Sequence, residues 1–135
     1  MMLTTVQAQA VVGAAFKKAA QMNVAVNIAV LDAGGHLKTF LRMDGAILGS
    51  IEIAIKKAET AILFEINSED AWRYYASSIP TPPPGLTDEA VPTVAGGVPL
   101  RRGGQVLGGV GISGAENSED AEVAIAAAAA FIACH

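Results

Sequence analysis

Charge is scarce in this chain: 16% of its 135 residues are Asp, Glu, Lys or Arg, and the formal net charge is −4. No basic stripe runs along it, so nucleic-acid binding is set aside. Aromatic residues amount to 5%, so the core must be filled by small side chains. The single cysteine, Cys134, excludes an internal disulfide. The longest strongly apolar stretch, "AIAAAAAFIAC", is too short to span a bilayer. The opening "MMLTTVQAQA" lacks the charged start and long apolar run of a signal peptide. These absences predict a soluble, cytoplasmic protein of one domain over residues 1–135, with no membrane partner.

What is plentiful is alanine and glycine, and their placement predicts the elements. Residues 4–21 read as a helix, with Thr4 and Gln7 at capping-box spacing. In "VAVNIAVLD", 24–32, residues Val24, Val26, Ile28 and Val30 fall on one face of a strand. "DAGG" turns the chain, and "HLKTFLRM" follows as the second strand of a hairpin. From about Ile47 to Phe64 the apolar period becomes helical, and a shorter helix is predicted over 68–77. "PTPPPG", 80–85, holds neither helix nor central strand. "VPTVAGGVPL" and "QVLGGVGIS" read as extended, and a last helix starts at "NSEDA", capped by Asn117 or Ser118. The pentapeptide "NSEDA" occurs at 67–71 and again at 117–121, as one N-cap solution used twice. The order, α-β-β-α-α-β-β(-β)-α, predicts an α+β fold with helices packed on an antiparallel sheet.

Candidate chemistry gathers in two stretches. His36, Lys38, Phe40 and Arg42 alternate onto one face of the second strand. An arginine fork recognises a carboxylate or phosphate, and Asp44 stands ready to orient Arg42 or to accept a proton. The competing reading is an Arg42–Asp44 pair that merely ties strand to helix. Lys57 lies on the flank of the following helix. Gly96 and Gly97, before Val98–Pro99, can present backbone N–H groups to an anion. Gly108, Gly109 and Gly111 are better explained by a helix packing tightly on the strand. There is no dinucleotide fingerprint, no phosphate loop, and no Cys/His metal cluster.

"LDAGGHLKTFLRMDGA", "AIKKAETAILF", "AGGVPL" and "VLGGVGISGAENSEDAEVA" together resemble the GlcG/HbpS family, also found as the C-terminal domain of PduO-type proteins. The likeness runs from about residue 28 to residue 128. The resemblance implies a profilin-like fold with a five-stranded antiparallel sheet, in the order α-β-β-α-α-β-β-β-α, and a homo-oligomer. It implies either of two functions. One is a protein or enzyme acting on a small carboxylate or oxo-acid, with Asp44, Arg42 and Lys57 as its reactive groups. His36, Gly96, Gly97 and Pro99 would complete that binding site in one concavity. The other is a haem-binding protein of haem handling or redox sensing, without catalysis. Haem-binding members can supply a histidine from the first helix, but here the only histidines are His36 and His135. Met22 and Tyr74 are the remaining axial candidates.

Overall fold

Thr4 opens the fold by accepting a hydrogen bond from the Gln7 N–H, while the Gln7 side chain accepts from the Thr4 N–H. This reciprocal cap starts α1, Thr5–Gln21, as its spacing predicts. The structure, a computed structural model, describes residues 1–71 and 94–134. After α1 come β1, Asn27–Asp32, and β2, Leu37–Arg42, joined as the predicted hairpin. Then follow α2, Ile51–Phe64, β3, Gly97–Arg102, β4, Gln105–Ser113, and α3, Asn117–Ala133.

The strands form one antiparallel sheet in the order β2-β1-β4-β3. It has four strands among the described residues, not the five that the family resemblance implied. β3 begins at Gly97, after a bend at Val94 and Ala95; Gly96 already accepts from the Ile112 N–H of β4. Most of the predicted second short helix and all of the proline stretch lie outside the described residues. What is described of that helix is a single 3-10 turn, Ser68–Asp70.

Strand alternation divides the core into two layers. Val26, Ile28 and Val30 face α1 and α3, joined by Leu100, Val110, Ile112 and Phe131. Ala29 and Leu31 face the other way, against Ala54 and Ala58 of α2. Two helices therefore cover one face and α2 covers the other. Two boundaries differ from expectation. Ile47, predicted in the apolar stripe of α2, is exposed, because a 3-10 turn at Leu48–Ser50 precedes the helix and turns it outward. The cap of α3 is Glu116, one residue before the predicted pair, with Glu119 closing the box.

Candidate functional site

α2 has an unusually close seat. A Cβ on Gly111 would overlap the carbonyl oxygen of Ala54, and one on Gly97 would overlap that of Lys57. At Gly109 the nearest atom would be the Ala58 carbonyl oxygen, 2.7 Å away. The predicted packing role thus falls to Gly109 and Gly111, with Gly97 as a third. Gly108 faces Leu3 on the other side of the sheet.

This close approach carries Lys57 inward instead of leaving it on the helix flank. Its side chain is 2% exposed, as is that of Asp120 in the first turn of α3. The Lys57 ammonium donates to the Ile112 carbonyl at 2.9 Å and to Asp120 Oδ2 at 3.1 Å. Asp120 Oδ1 accepts from the Ala115 N–H. One buried ion pair therefore ties α2 to the end of β4 and the start of α3. Burial pushes Lys57 below its ordinary value, opposed by the Asp120 charge. Burial likewise pushes Asp120 up, opposed chiefly by Lys57.

The two glycines predicted to offer amides to an anion lie beside this pair. Gly96 adopts φ 128°, and its Cα lies so close to Lys57 that a Cβ there would stand 2.9 Å from Nζ. Its carbonyl accepts from the Ile112 N–H, and the Gly97 N–H donates to Ser68 Oγ at 2.9 Å. The Gly97 amide is thus engaged within the protein. Pro99 is buried in β3 opposite Gly109.

Arg42, Asp44 and His36 are elsewhere. Arg42 ends β2 at one edge of the sheet, whereas Gly97 lies on the other edge strand. Three strand spacings, about 14 Å, separate those edges. The predicted set is therefore divided among three places: Lys57 with Gly96 and Gly97, Arg42 with Asp44, and His36 at the other end of β2. Arg42 and Asp44 are both exposed, and no ion pair joins them among the described residues. The turn between β2 and α2 is held instead by the Ala46 N–H donating to the Met43 carbonyl, with Gly45 at φ 85°. His36 is at the hairpin tip, its ring 82% exposed and 3.3 Å from Asp32 Oδ1. That carboxylate also accepts from the Gly34 and His36 N–H groups, which hold Asp32 below the usual carboxylate range.

Sequence reasoning missed three polar residues. Asp120 reads as a helix-start acid, and nothing local announces a partner 63 positions away. Ser68, from the first "NSEDA", holds Gly97, while Asp120, from the second, holds Lys57. The repeated pentapeptide thus supplies a different residue each time to one small region. Asn27, wholly buried, faces Arg42 across the β1–β2 pairing. Its amide donates to the Ile47 carbonyl and to Ser50 Oγ, and its Oδ1 has no partner among the described residues.

An open groove of about 340 Å³ lies along the outer flank of α2, lined by Glu52, Ile55, Lys56 and Glu59. No group of three or more metal-ligating His, Cys, Asp or Glu side chains occurs among the described residues. Nor is any helix among them long and apolar enough to cross a membrane.

The architecture and the divided site define an α+β domain of one antiparallel sheet with helices on both faces. A model of the family "Haem degrading protein HbpS-like" matches residues 3–129, and the chain belongs to this GlcG/HbpS family. It is 35% identical over 116 residues to Protein GlcG of Escherichia coli K12, covering 84% of this chain and 82% of that protein. It is 34% identical over 124 residues to the corrinoid adenosyltransferase PduO of Salmonella typhimurium. That match covers 87% of this chain but spans only 35% of PduO. Among solved structures, HbpS superposes with a TM-score of 0.86 at 31% identity, covering 100% of this chain and 92% of that one. A PduOC–haem complex superposes with a TM-score of 0.85 at 32% identity, covering 96% and 95%.

Proposed function

We propose that this chain binds haem and holds it without a histidine from α1. The observation that carries this reading is its likeness, over nearly the whole chain, to a protein crystallised with haem. The donor set of the chain bears on how it would do so. Among the described residues the one histidine is His36, solvated at a hairpin tip, so no buried imidazole is at hand. Tyr74, the other axial candidate in the sequence, lies outside the described residues; among those described, thioether sulfur remains. Met43 Sδ already accepts from the Val26 N–H, whereas Met22, at the C-cap of α1, is half-buried against the core. Lys38 and Arg42, exposed on one face of β2, are the cations suited to the carboxylates of haem. Among the described residues, Met22 thus offers a thioether on the α1–α3 side of the sheet, Lys38 and Arg42 offer cations on the α2 side with Phe40, and no buried imidazole joins either.

Haemin titration tests the reading. The expected result is a Soret band that saturates at a fixed ratio to protein, with Met22→Ala altering the spectrum or weakening binding at least tenfold. Absorbance that rises without saturation means surface adsorption and overturns the proposal.

A second reading is favoured by one observation: Arg42, exposed at the end of β2, has no ion pair among the described residues. A small carboxylate would pair with this guanidinium in bidentate fashion. Losing such a charged hydrogen bond costs about 1.5–3 kcal/mol, so Arg42→Ala should weaken binding of small carboxylates roughly 10- to 100-fold by calorimetry. Unchanged affinity in the folded variant removes this site.

A further inference from the structure

Two helices cover one face of the sheet, and among the described residues α2 alone covers the other. Four strands span about 14 Å from first to last, which is room for two helices packed about 8–10 Å apart. α2 lies over β1, β3 and β4, so the place beside it, above β2, is open. On that side β2 presents Leu37, Phe40 and Arg42, opposite Leu31, Ala29 and Asn27 in the strand pairing. Lys38, two residues before Phe40, shares its side. Leu37 is 53% exposed, while Phe40, Ile55 and Ile62 are half-buried around Ala54 and Ala58. The groove of about 340 Å³ beside Ile55 continues into a second of about 180 Å³, between the turn at 33–35 and Ile62 and Leu63. Glu59 borders both, so they form one trough.

The two rims of the trough differ in sign. Lys38 and Arg42 stand on the β2 side, whereas on the α2 side Glu52 and Glu59 outnumber Lys56. None of these five enters an ion pair among the described residues. We propose that the trough seats an amphipathic helix of another protein. That helix carries an apolar stripe, acidic side chains along the edge that meets β2, and basic ones along the edge that meets α2.

The shape of the space favours a helix. An extended segment would pair with the outer edge of β2, in the plane of the sheet, and leave the room above it empty. The six residues of β2 run about 20 Å, and the 14 residues of α2 run about 21 Å, so nearly four turns fit alongside. A second copy of this chain is a poor occupant, because α1 contains no acidic residue and α3 no basic one. The inference does not rest on the haem reading. Both draw on Lys38 and Arg42, so binding is measured without haemin.

Fluorescence anisotropy of the full chain with three labelled helical peptides tests the trough. Each peptide has one leucine stripe; the first carries glutamate on one flank and lysine on the other, the second glutamate on both, the third lysine on both. The first should bind saturably and at least about tenfold more tightly than the others. Lys38→Glu with Arg42→Glu, both exposed, should reverse the order, so that the all-lysine peptide binds best. Leu37→Glu should weaken the first peptide at least about tenfold, with an unchanged far-UV spectrum. Ile125→Glu, at a residue 55% exposed on the opposite side of the sheet, should leave its affinity unchanged. If the charge-reversed variant fails to fold, Lys38→Ala with Arg42→Ala replaces it and should abolish the preference for the first peptide over the all-lysine one. Binding that does not saturate overturns the proposal, as does equal affinity for all three peptides. Retained affinity in the folded trough variants, or equal loss in Ile125→Glu, overturns it too.

Discussion

Lys57→Met is expected to cost the fold about 3–5 kcal/mol, because it leaves Asp120 buried beside no cation. Both side chains are 2% exposed, so water cannot take the place of the lost partner. The cost does not measure how much the pair stabilises the protein. Burial is the largest influence on each group and disfavours its charged form, even with the partner present. Lys57, lowered from 10.5, contributes stability above that value, and the contribution is lost as pH falls through its folded value. Asp120, raised from 3.8, contributes stability below that value and loses it as pH rises through its folded value. Between those limits neither contribution is present, and the ionised pair is held against the desolvation of both groups.

Two results follow for urea unfolding. Lys57→Met should be less damaging near about pH 5 than near about pH 8, because the stranded Asp120 takes up a proton more readily in the folded state. Lys57→Met with Asp120→Leu should recover most of the loss, returning to within about 1–2 kcal/mol of wild type, since apolar replacement of a buried pair is often neutral or better. If the double variant is as unstable as Lys57→Met alone, the pair is not held at a desolvation cost. Glu69 and Glu119 also act on these groups, favouring the charged lysine and disfavouring the charged aspartate respectively.

The second large effect is expected at Gly111. Gly111→Ala should cost about 3 kcal/mol or more, at the upper end of overpacking penalties. The new Cβ meets the Ala54 carbonyl oxygen and, at 2.7 Å, the Ala58 nitrogen, both main-chain atoms of α2. Neither can rotate away as the tip of a long side chain would. Gly49→Ala is the control: nothing lies within 4 Å of its Cβ position, and its stability should change by less than about 0.5 kcal/mol. Equal midpoints for the two variants in chemical denaturation would show that α2 does not rest on the sheet backbone at Gly111.

Much of the fold is legible because its causes are local. The Thr4–Gln7 cap, the alternation of Val26, Ile28 and Val30, and the turn after Asp32 each depend on residues within a few positions of one another. The site is less legible because its causes are remote. The face of α2 bearing Lys57 depends on where Asp120 arrives, 63 residues later. Arg42 and Gly97 read as neighbours only until the strand order places β1 and β4 between them. The glycines were recognisable as a place of close approach, but not for which element: Gly97 reads as an anion cradle and serves as a seat for α2.

The glycine seat also limits how this protein can change over generations. Ordinary cores drift by exchange, one side chain growing as its neighbour shrinks. At Gly111 the opposing atom is a carbonyl oxygen, which every amino acid carries at that point of the helix. No substitution at Ala54 can make room, so the contact has no compensating path and should stay glycine while the alanines around it vary.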